Sequence, residues 1–118
     1  MTTQSPRTRP FDETVRVRAR AGADPDFRDG LLADALTAFS GHDLPVAKTL
    51  IRHYIHASIG FTGLAEQMGK SPKSLMRMFG PSGNPTSEHL SQVFALLQDH
   101  SGITLTVSVE TASGRHSA

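Results

Sequence analysis

The 118-residue sequence has no cysteine. That excludes a disulfide framework and a thiolate metal site. It also has no apolar run near the roughly 18 residues of a membrane span, so neither a transmembrane helix nor a membrane partner is expected. The opening MTTQSPRTRPFDE lacks the apolar stretch of a secretory leader, and a cytoplasmic protein is expected. The length suits one domain with one modest core and leaves little room for a separate catalytic domain. Net charge is also scarce, at +1, but its distribution is uneven. From Ala21 to Asp43 five aspartates (Asp24, Asp26, Asp29, Asp34, Asp43) stand against Arg28 alone. From Leu44 to Gly80 five basic residues (Lys48, Arg52, Lys70, Lys73, Arg77) stand against Glu66 alone. The split, about −4 against +4, points to two surfaces with different partners or to two solvated faces.

Composition predicts a disordered arm over residues 1–12, a domain over 13–110 and a disordered tail over 111–118. Arg7 and Arg9 in the arm are candidates for phosphate contact. TVRVRAR (14–20) alternates, with Val15, Val17 and Ala19 opposite Arg16, Arg18 and Arg20. ITLTVSVE (103–110) alternates too, with Ile103, Leu105, Val107 and Val109 on one face. Both read as strands. Two lone strands must pair to satisfy their backbones, within one chain or across a dimer. The arginine face is then a candidate to pair with DNA phosphate, or with Glu110 across the two strands.

Between these segments the pattern is helical. Asp24 is an N-cap followed by Pro25 at the first helical position, and Phe27, Leu31, Ala35 and Phe39 recur every fourth residue up to Gly41. A second helix, about 46–58, carries Ala47, Leu50, Ile51, Tyr54 and Ile55 on one stripe, with Gly60 after it. Shorter segments follow at about 62–68, 72–79 and 87–99, each with a glycine after it (Gly69, Gly80, Gly102), as a left-handed C-terminal cap favours. The last buries Leu90, Val93, Phe94 and Leu97. The fold class expected is mainly α: a helix-turn-helix bundle of about five helices with short terminal β-strands that pair.

The stretch GFTGLAEQMGKSPKSLMRMFGPSGNPT (60–86) holds two short helices joined by a tight turn. Such a pair crosses at a wide angle. Ala65 is the small inward residue where the backbones meet, flanked by Leu64 and Met68. Gly69 makes the turn, Ser71 and Pro72 start the second helix, and Leu75, Met78 and Phe79 face inward. That leaves Lys73, Ser74, Met76 and Arg77 outside. Residues 73, 76 and 77 share a face. A face of Lys, Arg, Ser and one flexible apolar residue suits the major groove: Arg can fork onto guanine, Lys can reach guanine or phosphate, and Met can pack on a thymine methyl. Ser71 and the N–H groups at the helix start can meet phosphate, and Lys70 lies in the turn.

LAEQMGKSPKSLMRMFG (64–80) resembles the λ-repressor-like helix-turn-helix family, with Ala65, Met68, Gly69, Leu75 and Phe79 at its structural positions. Residues 14–109 look like the antidote (antitoxin) proteins of chromosomal toxin–antitoxin modules, on DPDFRDGLLADAL, GNPT and ITLTV. The resemblance implies a cytoplasmic, homodimeric repressor of its own operon, binding double-stranded operator DNA and neutralising a small basic toxin. It implies no enzyme and no cofactor. Family members often carry Gln or Ser early in the recognition helix; Pro72 and Lys73 stand there in this chain, which moves base reading to Arg77. Thr62 is placed to bond phosphate, as are Asn84 and Thr86. The candidate DNA-binding set is therefore Thr62, Lys70, Ser71, Lys73, Ser74, Met76, Arg77, Asn84 and Thr86. Asp26, Asp29 and Asp34 are either solvated charges that suit the helix dipole or a surface for the toxin. The alternative function is a protein–protein module that keeps the helix-turn-helix only as a scaffold.

Other signals lead nowhere. His53 and His56 lie three apart on one helix, but no third metal ligand lies near them in sequence and the His-Glu-x-x-His frame is missing. GPSGNP lacks the Lys-Ser/Thr of a phosphate-binding loop. Ser71, Ser74 and His89 come without a nucleophile elbow.

Overall fold

Among the described residues six helices follow one another: α1 (Pro10–Ala23), α2 (Pro25–Ser40), α3 (Leu44–Ala57), α4 (Gly60–Met68), α5 (Pro72–Met78) and α6 (Ser87–Ser101). The computed structural model describes residues 10–112, with side chains from Glu13 onward. The expectations for residues 1–9 and 113–118, Arg7 and Arg9 included, lie outside the described residues.

Side-chain caps set four of the helix starts. Asp24 accepts from the N–H groups of Asp26 (3.1 Å) and Phe27 (3.2 Å). Asp43 accepts from Val46 N–H at 3.4 Å, Ser71 from Ser74 N–H at 3.1 Å, and Thr86 from His89 N–H at 3.1 Å. Each supplies an acceptor to a donor that the helix itself leaves unpaired. The helix ends are less uniform than the glycine spacing predicts. Gly69 and Gly102 are left-handed, with φ of 66° and 69°. Gly41 is not, at φ −86°; the left-handed residue after α2 is His42, at φ 64°. Gly60 has φ 79° but opens α4 rather than closing α3.

The core draws on all six helices, α1 through the buried Ala21. Leu31, Leu32 and Ala35 meet Ile51, Tyr54 and Ile55 of α3, Phe61, Leu64 and Ala65 of α4, Leu75 and Phe79, and Val93 and Leu97 of α6. Phe39 and Phe94 pack edge to face at its margin, with centroids 5.7 Å apart. Tyr54 is fully buried. Its hydroxyl finds Ser101 and, at 3.4 Å, the Asp29 carboxylate, and burial raises its pKa above the ordinary value.

The terminal strands are corrected. Residues 14–20 lie inside α1. Their alternation is real in sequence, but Thr14, Val17, Arg18 and Ala21 are also spaced i, i+3, i+4, i+7, the helical period. That set faces inward: Ala21 is buried and the other three are half-buried, while Val15 and Ala19 are exposed. Ala and Arg favour helix, and the small Ala21 permits close approach. The arginines consequently do not share one face. Arg20 lies over the Phe27 ring, 4.1 Å from its centroid, and Arg18 comes near the basic groups of α3.

Residues 103–112 form no strand and no helix. The segment leaves α6 through Ile103 N–H to Gln98 O (3.1 Å) and is held by Leu105 N–H to Gln98 Oε1 (2.7 Å). Ile103 and Leu105 pack on the core margin. A helical α1 offers no ladder, so the expected intrachain pairing with 14–20 does not occur.

Candidate nucleic-acid interface

Two interlocked hydrogen bonds build the turn between α4 and α5: Gly69 N–H to Glu66 O (3.4 Å) and Lys70 N–H to Ala65 O (3.0 Å). This is the double bond of a Schellman ending, which needs a left-handed residue at position 69. Ala65 and Leu75 are buried where the two helices meet, and Phe79 closes the end of α5. With those residues inward, Lys73, Ser74, Met76 and Arg77 are all exposed on α5.

Lys73, Met76 and Arg77 share a surface groove of about 350 Å³ with Gly80, Pro81 and Ser82. Of the nine candidate residues the structure thus brings three into one groove. Ser71 and Ser74 are joined at the start of α5 by the cap, which leaves the Ser71 hydroxyl proton free to donate elsewhere. Lys70 is half-buried in the turn, and Thr62, Asn84 and Thr86 are exposed in α4 and in the loop before α6. The Thr86 hydroxyl oxygen is engaged as a cap.

Two basic residues of the positive window are not on this surface. Lys48 is buried, and its ammonium donates to Gly80 O (2.8 Å), Gly83 O (2.7 Å) and Pro81 O (3.4 Å). All three of its donors are used. Arg52, one turn on, donates Nη1–H to Phe79 O and Nη2–H to Thr49 Oγ1 (3.3 Å). Burial and the nearby Arg18 guanidinium push its pKa below the ordinary value. The pair thus places two cations at the C-terminal end of α5, where the helix dipole favours them, and ties the floor of the groove to α3. The sequence held the signal. Residues 48 and 52 are four apart, and each sits one place along the helix from an inward residue, Ala47 or Ile51. Reading them as surface charge missed it.

The loop itself doubles back on α5. A Cβ on Gly83 would lie 2.1 Å from Met78 O and 2.2 Å from Arg77 O, so only glycine permits that approach. His53 is buried, and its Nδ1 has no hydrogen-bond partner among the described residues. His56 meets the Phe61 ring at 5.1 Å between centroids. Both have lowered pKa values, from burial first and then from Arg18 and Arg52. Among the described residues no three His, Asp or Glu side chains gather as a metal-holding group.

The acidic set divides. Asp26 and Asp34 are exposed on α2. Asp29 is half-buried, paired with Arg28 Nε at 3.2 Å and accepting from Tyr54. No protein-family model matches the chain, and comparison with curated proteins and with solved structures gave no significant match.

Proposed function

We propose that this chain is a sequence-specific DNA-binding transcription regulator that represses its own operon and acts as an antitoxin. The observation that carries the reading is the exposed Lys73, Met76 and Arg77 on a short, glycine-turned helix whose far end is pinned by Lys48 and Arg52. Such a face can enter a major groove, with Arg77 reading guanine, Lys73 reaching guanine or phosphate and Met76 meeting a thymine methyl. Thr62, Lys70, Ser71, Asn84 and Thr86 serve as backbone contacts that set register. The working form is a homodimer in the cytoplasm, with no enzymatic activity. Asp26 and Asp34 form the side offered to a small basic toxin, while Asp29 is engaged with its own fold.

The experiment is a gel shift with the chain's own promoter DNA against scrambled DNA of equal length, at two salt concentrations. Preferential, salt-sensitive retardation of the promoter is the expected result. Equal retardation of both, or none, overturns the regulator. The alternative, a protein–protein module on a helix-turn-helix scaffold, gains from the burial of Lys48 and the engagement of half-buried Arg52 with Phe79 O. It predicts no promoter shift and a stable complex with the product of an adjacent reading frame.

A further inference from the structure

The segment after α6 is anchored at one end and open at the other. Ile103 and Leu105 pack on the core margin, but Val107 and Val109, which continue the same alternation in sequence, are 79% and 95% exposed. Beyond Leu105 the described backbone finds no hydrogen-bond partner among the described residues. A segment with unpaired backbone groups and exposed β-branched residues is a template for another strand.

We infer that residues 103–109 of two copies pair as an antiparallel ribbon centred on Thr106, and that this ribbon is the dimer interface. The argument is one of register. Residues directly opposite in an antiparallel pair point to the same face. With Thr106 opposite its own counterpart, Ile103 faces the partner's Val109, Leu105 faces the partner's Val107, and Thr104 faces the partner's Ser108. This is the one register in which all four apolar residues face apolar residues. It also sets each exposed valine beside an anchored residue of the other copy. Moving the centre by one residue, to Val107, leaves Ile103 opposite Thr111 and wastes one apolar pair. Glu110 falls outside the paired stretch, so no two like charges meet.

A two-stranded ribbon alone is marginal in water and needs a surface beneath it. Two grooves of about 400 Å³ each flank Leu105. Leu36 of α2 lies in both; Phe94 of α6 lies in one and Ala33 in the other. Leu36, Phe94 and Ala33 give the ribbon an apolar footing there, beside polar Thr37, Ser40 and Gln98; the self-complementary register is what makes the occupant a second copy of this chain. The inference concerns self-association and stands whether or not the chain binds DNA.

The absence of cysteine makes the register measurable. In the full chain, single variants Thr104→Cys, Thr106→Cys and Ser108→Cys are oxidised without DNA and covalent dimer is scored. Thr106→Cys places two sulfurs on directly opposed residues, whose Cα atoms are about 4.5–5.5 Å apart, within disulfide reach. Thr104→Cys and Ser108→Cys each meet their own copies about 13 Å away. We expect Thr106→Cys alone to cross-link efficiently, and a mixture of the other two to give the heterodimer. A separate variant, Val107→Asp, should leave helical circular dichroism unchanged, because Val107 is exposed, while weakening dimerisation at least about tenfold. A native chain that is monomeric at tens of micromolar, equal cross-linking at all three positions, or a Val107→Asp chain that dimerises normally would each overturn the ribbon.

Discussion

Lys48 shows how one side chain can position a site from beneath. Its ammonium holds three carbonyls of the loop that floors the Arg77 groove. Lys48→Met keeps the stem and removes the donors, leaving those acceptors in a mostly buried place. The expected cost is about 1–3 kcal/mol of stability, read as a lower denaturant midpoint. A midpoint within error of wild type would show that water replaces the ammonium fully. Arg77 is the opposite case, its side chain exposed on α5. Arg77→Ala should leave stability unchanged and weaken operator binding by about 1–3 kcal/mol, with relaxed base choice at one position. Unchanged affinity and unchanged preference would remove it from the interface. His53 and His56 supply a third prediction. Their folded pKa values lie below the ordinary 6.5, so the unfolded chain takes up protons first as pH falls. The contribution of these neutral imidazoles is therefore complete above about pH 6.5 and is lost progressively below it. Denaturation midpoints at pH 7.5, 6.5 and 5.5 should fall in that order, and His53→Gln should flatten the decline. A midpoint that rises on acidification would contradict the sign.

At the scale of elements, the legible parts of the chain were those with chemical punctuation. Asp24-Pro25 and Ser71-Pro72 announce helix starts, and each is a working cap; Thr86, read only as a phosphate contact, caps α6 as well. The two motif helices, with Ala65, Gly69 and Leu75 between them, stand where their spacing put them. Element α1 was misread because seven residues of Val/Arg alternation satisfy the strand period while Thr14, Val17, Arg18 and Ala21 satisfy the helical one. Only packing against α2 and α3, which takes the small Ala21 into the core, decides between them. The loop 79–86 was the least legible. Its shape depends on Lys48 and Arg52, more than twenty residues away in sequence, and on a glycine pressed against the end of α5. Gly83→Ala forces that backbone apart and should cost about 1–3 kcal/mol, as overpacking does. Proteolysis within 79–86 should then quicken. A Gly83→Ala chain as stable and as resistant as wild type would mean that the loop has another conformation at no cost.

For the whole molecule, the withdrawal of Lys48 and Arg52 alters what salt should do. Lys70, Lys73 and Arg77 remain as the candidate cations near the motif, three in place of five. Each phosphate contact contributes a slope of about −0.9 in log affinity against log salt, so these three supply no more than about −3 per bound copy. A steeper slope would bring in other arginines, on α1 or in the N-terminal arm. If two copies are joined through residues 103–109, their α5 helices can address half-sites about 34 Å apart, one turn of DNA, in a palindromic operator. Val107→Asp separates the two levels because Val107 lies on the C-terminal segment, outside the motif groove. The variant should bind a single half-site with wild-type affinity and the same slope per copy. On the full operator it should lose the gain that comes from linking two sites, which raises apparent affinity by factors of about 10²–10⁴. Half-site binding that also collapses would mean that the C-terminal segment supports the motif itself. A monomeric Val107→Asp chain that holds the full operator as tightly as wild type would show that two linked recognition helices are not how this protein selects its site.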